Sequence, residues 1–134
     1  MSAILKISHT KKSITEDTLR VNRNSGAVTI KGRLAKFRDK DTRQMILYIP
    51  SLDISGYGAT LEKAQEMLRF SVSEYFQYLI KLSKKHLEAE LARLGWKQIL
   101  YGHKEYSKAF VNSDGELKSF NAVADEVELL TVEA

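Results

Sequence analysis

A strand end, a glycine-containing loop and a helix start follow one another in residues 49–64, which read Ile49-Pro50-Ser51-Leu52-Asp53-Ile54-Ser55-Gly56-Tyr57-Gly58-Ala59-Thr60-Leu61-Glu62-Lys63-Ala64. Pro50 is the only proline, and it ends the strand because it has no backbone N–H to donate. Gly56 and Gly58 allow a close turn with a brief strand. Thr60 is suited to cap a helix, and the small side chain of Ala64 allows that helix to sit tightly on a sheet. We therefore predict a strand-to-helix junction here.

An apolar stripe at helical spacing follows this junction and predicts a long amphipathic helix. Its members recur at steps of three or four residues: Leu61, Ala64, Leu68, Val72, Tyr75, Leu79 and Leu82. A second stripe is out of phase with the first and contains Leu87, Leu91 and Leu94. Either the helix kinks near Ser83 or a second helix begins there. Gly95 suits the left-handed position that ends a helix.

The residues before the junction predict strands. Apolar and polar residues alternate on both sides of the turn-forming residues 22–26, which indicates a hairpin. Its second strand runs from about Ala27 to Phe37, and we interpret Gly32 as a bulge that resets the alternation. Residues 45–49 are nearly all apolar, as expected of a central strand. The pattern predicts an α+β fold in which an antiparallel sheet of three to four strands packs against one long amphipathic helix.

The chain of 134 residues suits one domain with an appendage. We divide it into residues 1–95, an α+β domain with an N-terminal extension, and residues 96–134, a C-terminal extension. Near the N-terminus, residues 3–7 fit a short strand and residues 11–17 a polar loop. In the C-terminal extension we expect a turn at Asp114-Gly115 and a last strand at about residues 126–132, which adds to the sheet.

Several kinds of chemistry are excluded or disfavoured by the composition. The chain has no cysteine, which excludes disulfides, thiolate metal sites and cysteine nucleophiles. It has no common catalytic or phosphate-binding motif, so we predict a non-enzymatic protein without catalytic residues, cofactor or metal. His86 and Glu90 lie one helical turn apart, but a polar pair explains this spacing better than a metal site. Without a signal peptide or a membrane-spanning apolar run, we expect a cytoplasmic protein with no membrane partner.

Positive charge is concentrated near the N-terminus. Residues 1–44 hold eleven of the 21 lysines and arginines but only four of the 17 acidic residues. Six of these cations form a candidate nucleic-acid-binding surface: Lys31, Arg33, Lys36, Arg38, Lys40 and Arg43. Asp39 and Asp41 interrupt this cluster. Solvated charges that protect a sheet edge from aggregation are the alternative explanation.

Aromatic residues outside the main apolar stripe offer a second candidate surface. Phe70, Phe76 and Tyr78 lie off that stripe. They belong either to a dimer or partner surface or to a second face of the core.

The junction and its neighbouring elements resemble the HicB-like antitoxin family over roughly residues 27–82. In that family a strand ends in Pro, a glycine-containing loop leads to a Gly-x-Thr turn, and the helix begins Leu-Glu-x-Ala. The matching residues in this chain are Pro50, Gly56, Gly58, Thr60, Leu61 and Ala64. The chain departs from the family at Ala59, where members usually carry an acidic residue, and after Gly95, where we find no DNA-reading helix pair.

The resemblance implies a HicB-like fold and a non-catalytic module that binds and masks a small RNA-cleaving toxin by steric occlusion. Two other functions remain open. The chain could instead be a nucleic-acid-binding protein that uses its basic surface, or a stand-alone homo-oligomeric protein. We expect it to form a homodimer.

Overall fold

The computed structural model describes residues 5–8, 16–99, 102–109 and 128–133. These residues form strands β1 (Lys6–Ser8), β2 (Glu16–Asn22), β3 (Ala27–Arg38), β4 (Met45–Ile49) and β5 (Ile54–Gly58), helices α1 (Leu61–Lys81) and α2 (Lys84–Arg93), and strands β6 (Lys97–Ile99), β7 (Gly102–Ala109) and β8 (Glu128–Glu133). The predicted turn at Asp114-Gly115 lies outside the described residues. Among the described residues, no helix is long and apolar enough to cross a membrane.

All strand pairs described are antiparallel, which confirms the predicted α+β class. The strands β2 to β5 correspond to the predicted sheet. The other four extend it to eight strands, with the order β1-β8-β3-β2-β7-β6 and with β4 and β5 branching from β3. β8 lies between β1 and β3, so the C-terminal residues enter the sheet beside one of its central strands.

The hairpin between β2 and β3 forms as predicted, and its turn is held by local hydrogen bonds. The side chain of Asn22 accepts hydrogen bonds from the backbone N–H groups of Asn24 (3.2 Å) and Ser25 (3.3 Å). Gly26 follows with a φ of +72°, a conformation that glycine adopts without strain.

Gly32 does not form the bulge that we predicted. The pairing of β3 with β8 continues without a shift from Lys31 to Lys36. Ile30 and Leu34 face α1, whereas Ala35 and Phe37 are buried on the opposite face of the sheet. The change in burial along β3 therefore reflects two buried faces rather than a change of phase.

The predicted single long helix is two helices, which was one of the two alternatives that the stripes allowed. α1 begins after Thr60, whose hydroxyl accepts a hydrogen bond from the N–H of Lys63 (3.3 Å), and it ends at Lys81. Ser83 then caps α2 by accepting a hydrogen bond from the N–H of His86 (3.3 Å). A serine with extended backbone is well suited to cap the free N–H groups at the start of a new helix, whereas the extended backbone interrupts a continuing helix.

The core lies between α1 and the sheet. The buried face of α1 packs against the sheet, and Leu87 and Leu91 of α2 belong to the same cluster. The residues of the cluster are Leu19, Val21, Ile30, Leu34, Leu47, Ile49, Leu52, Ala64, Leu68, Val72, Phe76, Leu79, Leu87, Leu91 and Trp96. Gly95, just after α2, has a φ of +93°. The N–H of Trp96 donates to the carbonyl of Leu91 (2.9 Å), so the buried indole directly follows the end of the helix.

Candidate interaction surfaces

The junction that carries the family resemblance is a place of close backbone packing. Gly56 lies on β5 beneath α1, and a Cβ atom there would overlap backbone atoms of Ala64 and Leu68. A Cβ on Gly58 would lie 2.6 Å from the Cβ of Lys63. The side chain of Ala64 is fully buried. These small residues are therefore required for α1 to approach β5, whatever else the junction does.

The turn between β4 and β5 is fixed by Pro50 and Asp53. The N–H of Asp53 donates to the carbonyl of Pro50 (3.2 Å), and Asp53 adopts a φ of +54°. The hydroxyl of Tyr48 donates a hydrogen bond to the Asp53 carboxylate (2.9 Å). Burial, followed by this hydrogen bond and by the charge of Asp53, raises the pKa of Tyr48 to about 12. The pair anchors the turn to the sheet face that lies away from α1.

The six cations of the predicted nucleic-acid surface do not share one face. Lys31 and Arg33 alternate with the core residues of β3, so they lie on the sheet face away from α1. The strand register places Lys36 opposite Leu47 and Arg38 opposite Met45, on the α1 side. The other two, Lys40 and Arg43, are exposed in the loop between β3 and β4.

The alternative explanation of these charges, protection of a sheet edge, is wrong for β3. This strand pairs with β2 and β4 along one edge and with β8 along the other. β3 is therefore a central strand, and its charged residues do not protect a free edge of the sheet. The register also places Glu105 opposite Arg20 and Glu133 opposite Lys31, so acidic residues accompany two cations of this region.

Arg38 and Asp39 shape the loop between β3 and β4. The guanidinium of Arg38 donates to the carbonyl of Arg43 (2.7 Å). The Asp39 carboxylate accepts hydrogen bonds from both the N–H and the hydroxyl of Thr42, each at 2.8 Å. Arg43 adopts a φ of +62°. This part of the predicted surface is thus a hydrogen-bonded hairpin loop that includes a carboxylate beside its cations.

A buried carboxylate in β2 is a residue that sequence reasoning missed. We predicted a polar loop up to Asp17, but Asp17 lies in β2 and is fully buried. Along β3, the pairing with β2 ends at Lys31, which lies opposite Thr18. The pairing with β4 starts at Ala35, which lies opposite Tyr48. In the gap between these pairings, the Asp17 carboxylate accepts a hydrogen bond from the N–H of Arg33 (3.2 Å). The available signal was its position two residues before Leu19 and four before Val21, which places all three side chains on the same face of β2.

Gly32 provides the space that this carboxylate occupies. A Cβ atom on Gly32 would lie 2.6 Å from Oδ2 of Asp17. The site therefore needs glycine at position 32 because it has no side chain, and not because of its conformational freedom.

A polar cluster joins α1 to α2. The hydroxyl of Tyr75 donates to Glu90 (3.0 Å), and Arg93 donates to both oxygens of the same carboxylate at 2.6 and 3.3 Å. Burial is the largest cause that raises the pKa of Tyr75 well above its usual value. The hydrogen bond from Arg93 is the largest cause that lowers the pKa of Glu90. The cluster therefore links the middle of α1 to the end of α2.

The spacing of His86 and Glu90 does not produce a metal site among the residues that the structure describes, where no suitable group of His, Asp and Glu side chains is found. Nδ1 of His86 lies 2.8 Å from the hydroxyl of Ser83. Glu90 is held by Tyr75 and Arg93. Both members of the predicted polar pair therefore have partners other than each other.

The off-stripe aromatic residues divide between core and surface. Phe76 is buried, whereas the side chains of Phe70 and Tyr78 are 66% and 50% exposed. Both exposed rings lie on α1, so this helix presents aromatic surface to solvent while its other face is in the core.

A groove of about 360 Å³ lies between the start of α1 and β1. In the described sheet, β1 is a terminal strand that pairs only with β8. The groove combines the half-buried side chains of β1 with charged and polar side chains of α1, and its lining consists of Leu5, Ile7, Glu62, Gln65, Glu66 and Arg69.

No protein-family model matches the chain, and neither a curated protein nor a solved structure does. The HicB-like resemblance therefore remains a prediction from the residues of the junction.

Proposed function

We propose that this chain is a non-catalytic protein-binding module of the HicB-like antitoxin type, which masks a small RNA-cleaving toxin by steric occlusion. The observation that carries the proposal is the junction of β4, β5 and α1. The family-like residues occur there in one continuous order: the strand end at Pro50, the glycines beneath the helix, the cap Thr60 and the buried Ala64.

The groove between β1 and α1 is the surface that we assign to the toxin. Toxins of this class are small and basic, and Glu62 and Glu66 line the groove beside the apolar side chains of Leu5 and Ile7. The two carboxylates can select a basic partner, while Leu5 and Ile7 can contact its apolar side chains. Arg69 limits this attraction, so shape must contribute to specificity as well as charge.

A tagged pull-down of the full chain from its native host, with and without nuclease treatment, tests the proposal. We expect a small basic protein to remain bound after nuclease treatment. Co-expression with that protein, or with the product of a neighbouring reading frame, should restore growth that the small protein alone arrests. If no such protein binds or is neutralised, the antitoxin function is excluded.

Charge reversal locates the surface within the same experiment. The double variant Glu62→Lys and Glu66→Lys should weaken capture and growth rescue, because it turns the rim of the groove positive. Glu88→Lys, on the exposed surface of α2, is the matched control and should behave as the wild type. Equal capture by all three proteins would retain the function but remove the groove as its site.

A second candidate, nucleic-acid binding, is favoured by one specific observation. Arg20, Lys31 and Arg33 lie on the sheet face away from α1, in adjacent strands. Cations arranged in this way can contact successive phosphates, and the affinity should then fall steeply with salt. The acidic residues opposite Arg20 and Lys31 reduce the net charge of this region.

Fluorescence anisotropy with labelled single- and double-stranded oligonucleotides separates this candidate from the first. If the sheet face binds, Lys31→Glu with Arg33→Glu should abolish binding, while Lys40→Glu with Arg43→Glu in the loop should have a smaller effect. Binding that both double variants retain would exclude the predicted basic surface. Nuclease-sensitive recovery of proteins in the pull-down would favour this candidate over the antitoxin.

A further inference from the structure

Helix α1 carries a second stripe of residues on its solvent-facing side. These residues recur at alternating steps of four and three, and they are Lys63, Met67, Phe70, Glu74, Gln77 and Lys81. Residues at this spacing lie along one line of the helix surface, where the side chains of a second helix can contact them. The stripe is opposite the core face, and neither Met67 nor Phe70 belongs to the hydrophobic core of the described residues.

Phe70 is the most exposed of the large apolar side chains in the described part of the chain, at 66%. Met67, one turn before it, is partly exposed. An aromatic ring and a flexible thioether side by side on a helix surface are residue types enriched at protein interfaces.

Charges border this apolar pair with opposite signs. Lys63 precedes Met67 by one turn, and Glu74 follows Phe70 by one turn. Both charged side chains are exposed, and neither forms an ion pair with another described residue. The sequence along this part of the helix is thus cation, apolar, apolar, anion.

This pattern is complementary to itself when a second helix runs in the opposite direction. With a two-fold axis between Leu68 and Arg69, Met67 meets the partner's Phe70, and Lys63 meets the partner's Glu74. Each pair occurs twice because the contact is isologous. The result is an apolar centre with an ion pair at each end.

Other alignments place like charges together. A parallel in-register pair would bring Glu74 against the partner's Glu74 and Lys63 against the partner's Lys63. An antiparallel pair centred on Phe70 would bring Glu66 against the partner's Glu74. Like charges in contact oppose association, so the charge pattern selects one alignment.

We infer that this face of α1 binds a second copy of the chain, forming an antiparallel two-fold helix pair centred on Met67 and Phe70. The contact involves one helix from each copy, so we expect it to bury less than the area of about 1,000 Å² that stable interfaces exceed. The dimer is therefore weak and depends on protein concentration.

Sedimentation equilibrium of the full chain over a wide concentration range tests this inference. The wild type should show a monomer–dimer equilibrium. Phe70→Ala should weaken association by about tenfold or more, as expected for a central aromatic anchor. Because Phe70 is exposed, the variant should keep the circular dichroism spectrum of the wild type.

Reciprocal charge reversal tests the alignment. Lys63→Glu and Glu74→Lys should each weaken the dimer, and the double variant should recover it because both ion pairs are restored with inverted sign. Glu88→Lys, a charge reversal on α2, should leave the equilibrium unchanged.

The outcomes that overturn the inference are distinct from those that exclude the antitoxin function. A wild type that stays monomeric at every concentration, or a dimer that Phe70→Ala does not weaken, shows that this face does not bind a second copy. A double reversal that fails to recover association rules out the antiparallel alignment. All three measurements use the chain alone, so toxin binding is decided separately by the pull-down.

Discussion

At the scale of single residues, the buried carboxylate of Asp17 depends on the absence of a side chain at Gly32. The two residues are fifteen positions apart and meet only through the pairing of β2 with β3, so the sequence led us to interpret both wrongly. Polarity made Asp17 look like a loop residue, whereas the gap between β2 and β4 makes it a buried acceptor. Residues with a local role were easier to interpret: Pro50, Thr60 and Gly95 act on their own backbone or on close neighbours, and each lies where its chemistry predicted.

Replacement of Gly32 by alanine tests this pair. The new methyl group would displace the buried Asp17 carboxylate, and we expect a loss of about 1–3 kcal/mol in the free energy of unfolding. Urea denaturation followed by circular dichroism measures it. Thr29→Ala, which also places alanine in β3 but at an exposed position, is the control and should change stability far less. Equal stability of the two variants would show that the carboxylate does not need the space at position 32.

The contact between Tyr48 and Asp53 predicts a pH dependence at high pH. The pKa of Tyr48 in the folded chain is about 12, above the usual value of 10, so the fold favours the neutral phenol of Tyr48. The corresponding stabilisation is fully present below pH 10 and is lost as the pH rises from 10 towards 12. Ultraviolet absorbance of tyrosinate should show late-titrating residues that include Tyr48 and Tyr75, and Tyr48→Phe should remove the one that titrates near pH 12. Asp53→Asn should lower the pKa of Tyr48 without returning it to 10, since burial is the larger cause. An unchanged titration in Tyr48→Phe would contradict this assignment.

At the scale of elements, the periodic stripes predicted both helices, but they did not decide whether the chain kinks or restarts between them. The deciding residue is Ser83, because its hydroxyl and extended backbone suit a helix start. The number of strands was underestimated for a different reason. The short strand predicted at residues 3–7 overlaps β1. β6 and β7 were not predicted, because they carry no long alternating apolar pattern and β7 joins the sheet by pairing with β2, which is distant in the chain.

Ser83→Ala should destabilise α2. The variant removes the acceptor for the N–H of His86, and loss of such a cap costs about 0.5–2 kcal/mol. Chemical denaturation measures the loss, and Lys85→Ala, at an exposed position in the first turn of α2, is the control. A rise in helix content or unchanged stability would indicate that α1 and α2 can join into one continuous helix.

At the scale of the whole molecule, the sequence predicted a domain of residues 1–95 and an extension, and the pairing of β8 connects the two. β8 pairs with β3 from Lys31 to Lys36, and these positions overlap the gap that Asp17 fills on the other edge of β3. Local patterns could predict a last strand, but not that it would lie beside the longest strand of the sheet. The same limit applies to the candidate surfaces. Their residues could be proposed from the sequence, but their grouping depends on which face of the sheet or helix they occupy.

Removal of residues 128–134 tests whether β8 is part of the structural unit. β8 contributes six paired positions to β3, and ladder hydrogen bonds contribute roughly 0.5–1.5 kcal/mol each, so the loss is on the order of several kcal/mol. That is a large part of the stability of about 5–15 kcal/mol that domains usually have. Truncation would also turn β3 into a long exposed edge, which favours aggregation. We therefore expect the shortened chain to unfold at a much lower urea concentration and to aggregate when heated, as measured by circular dichroism and light scattering. Removal of Ala134 alone is the control and should change neither, whereas a truncated chain as stable as the full one would mean that residues 1–127 fold independently of β8.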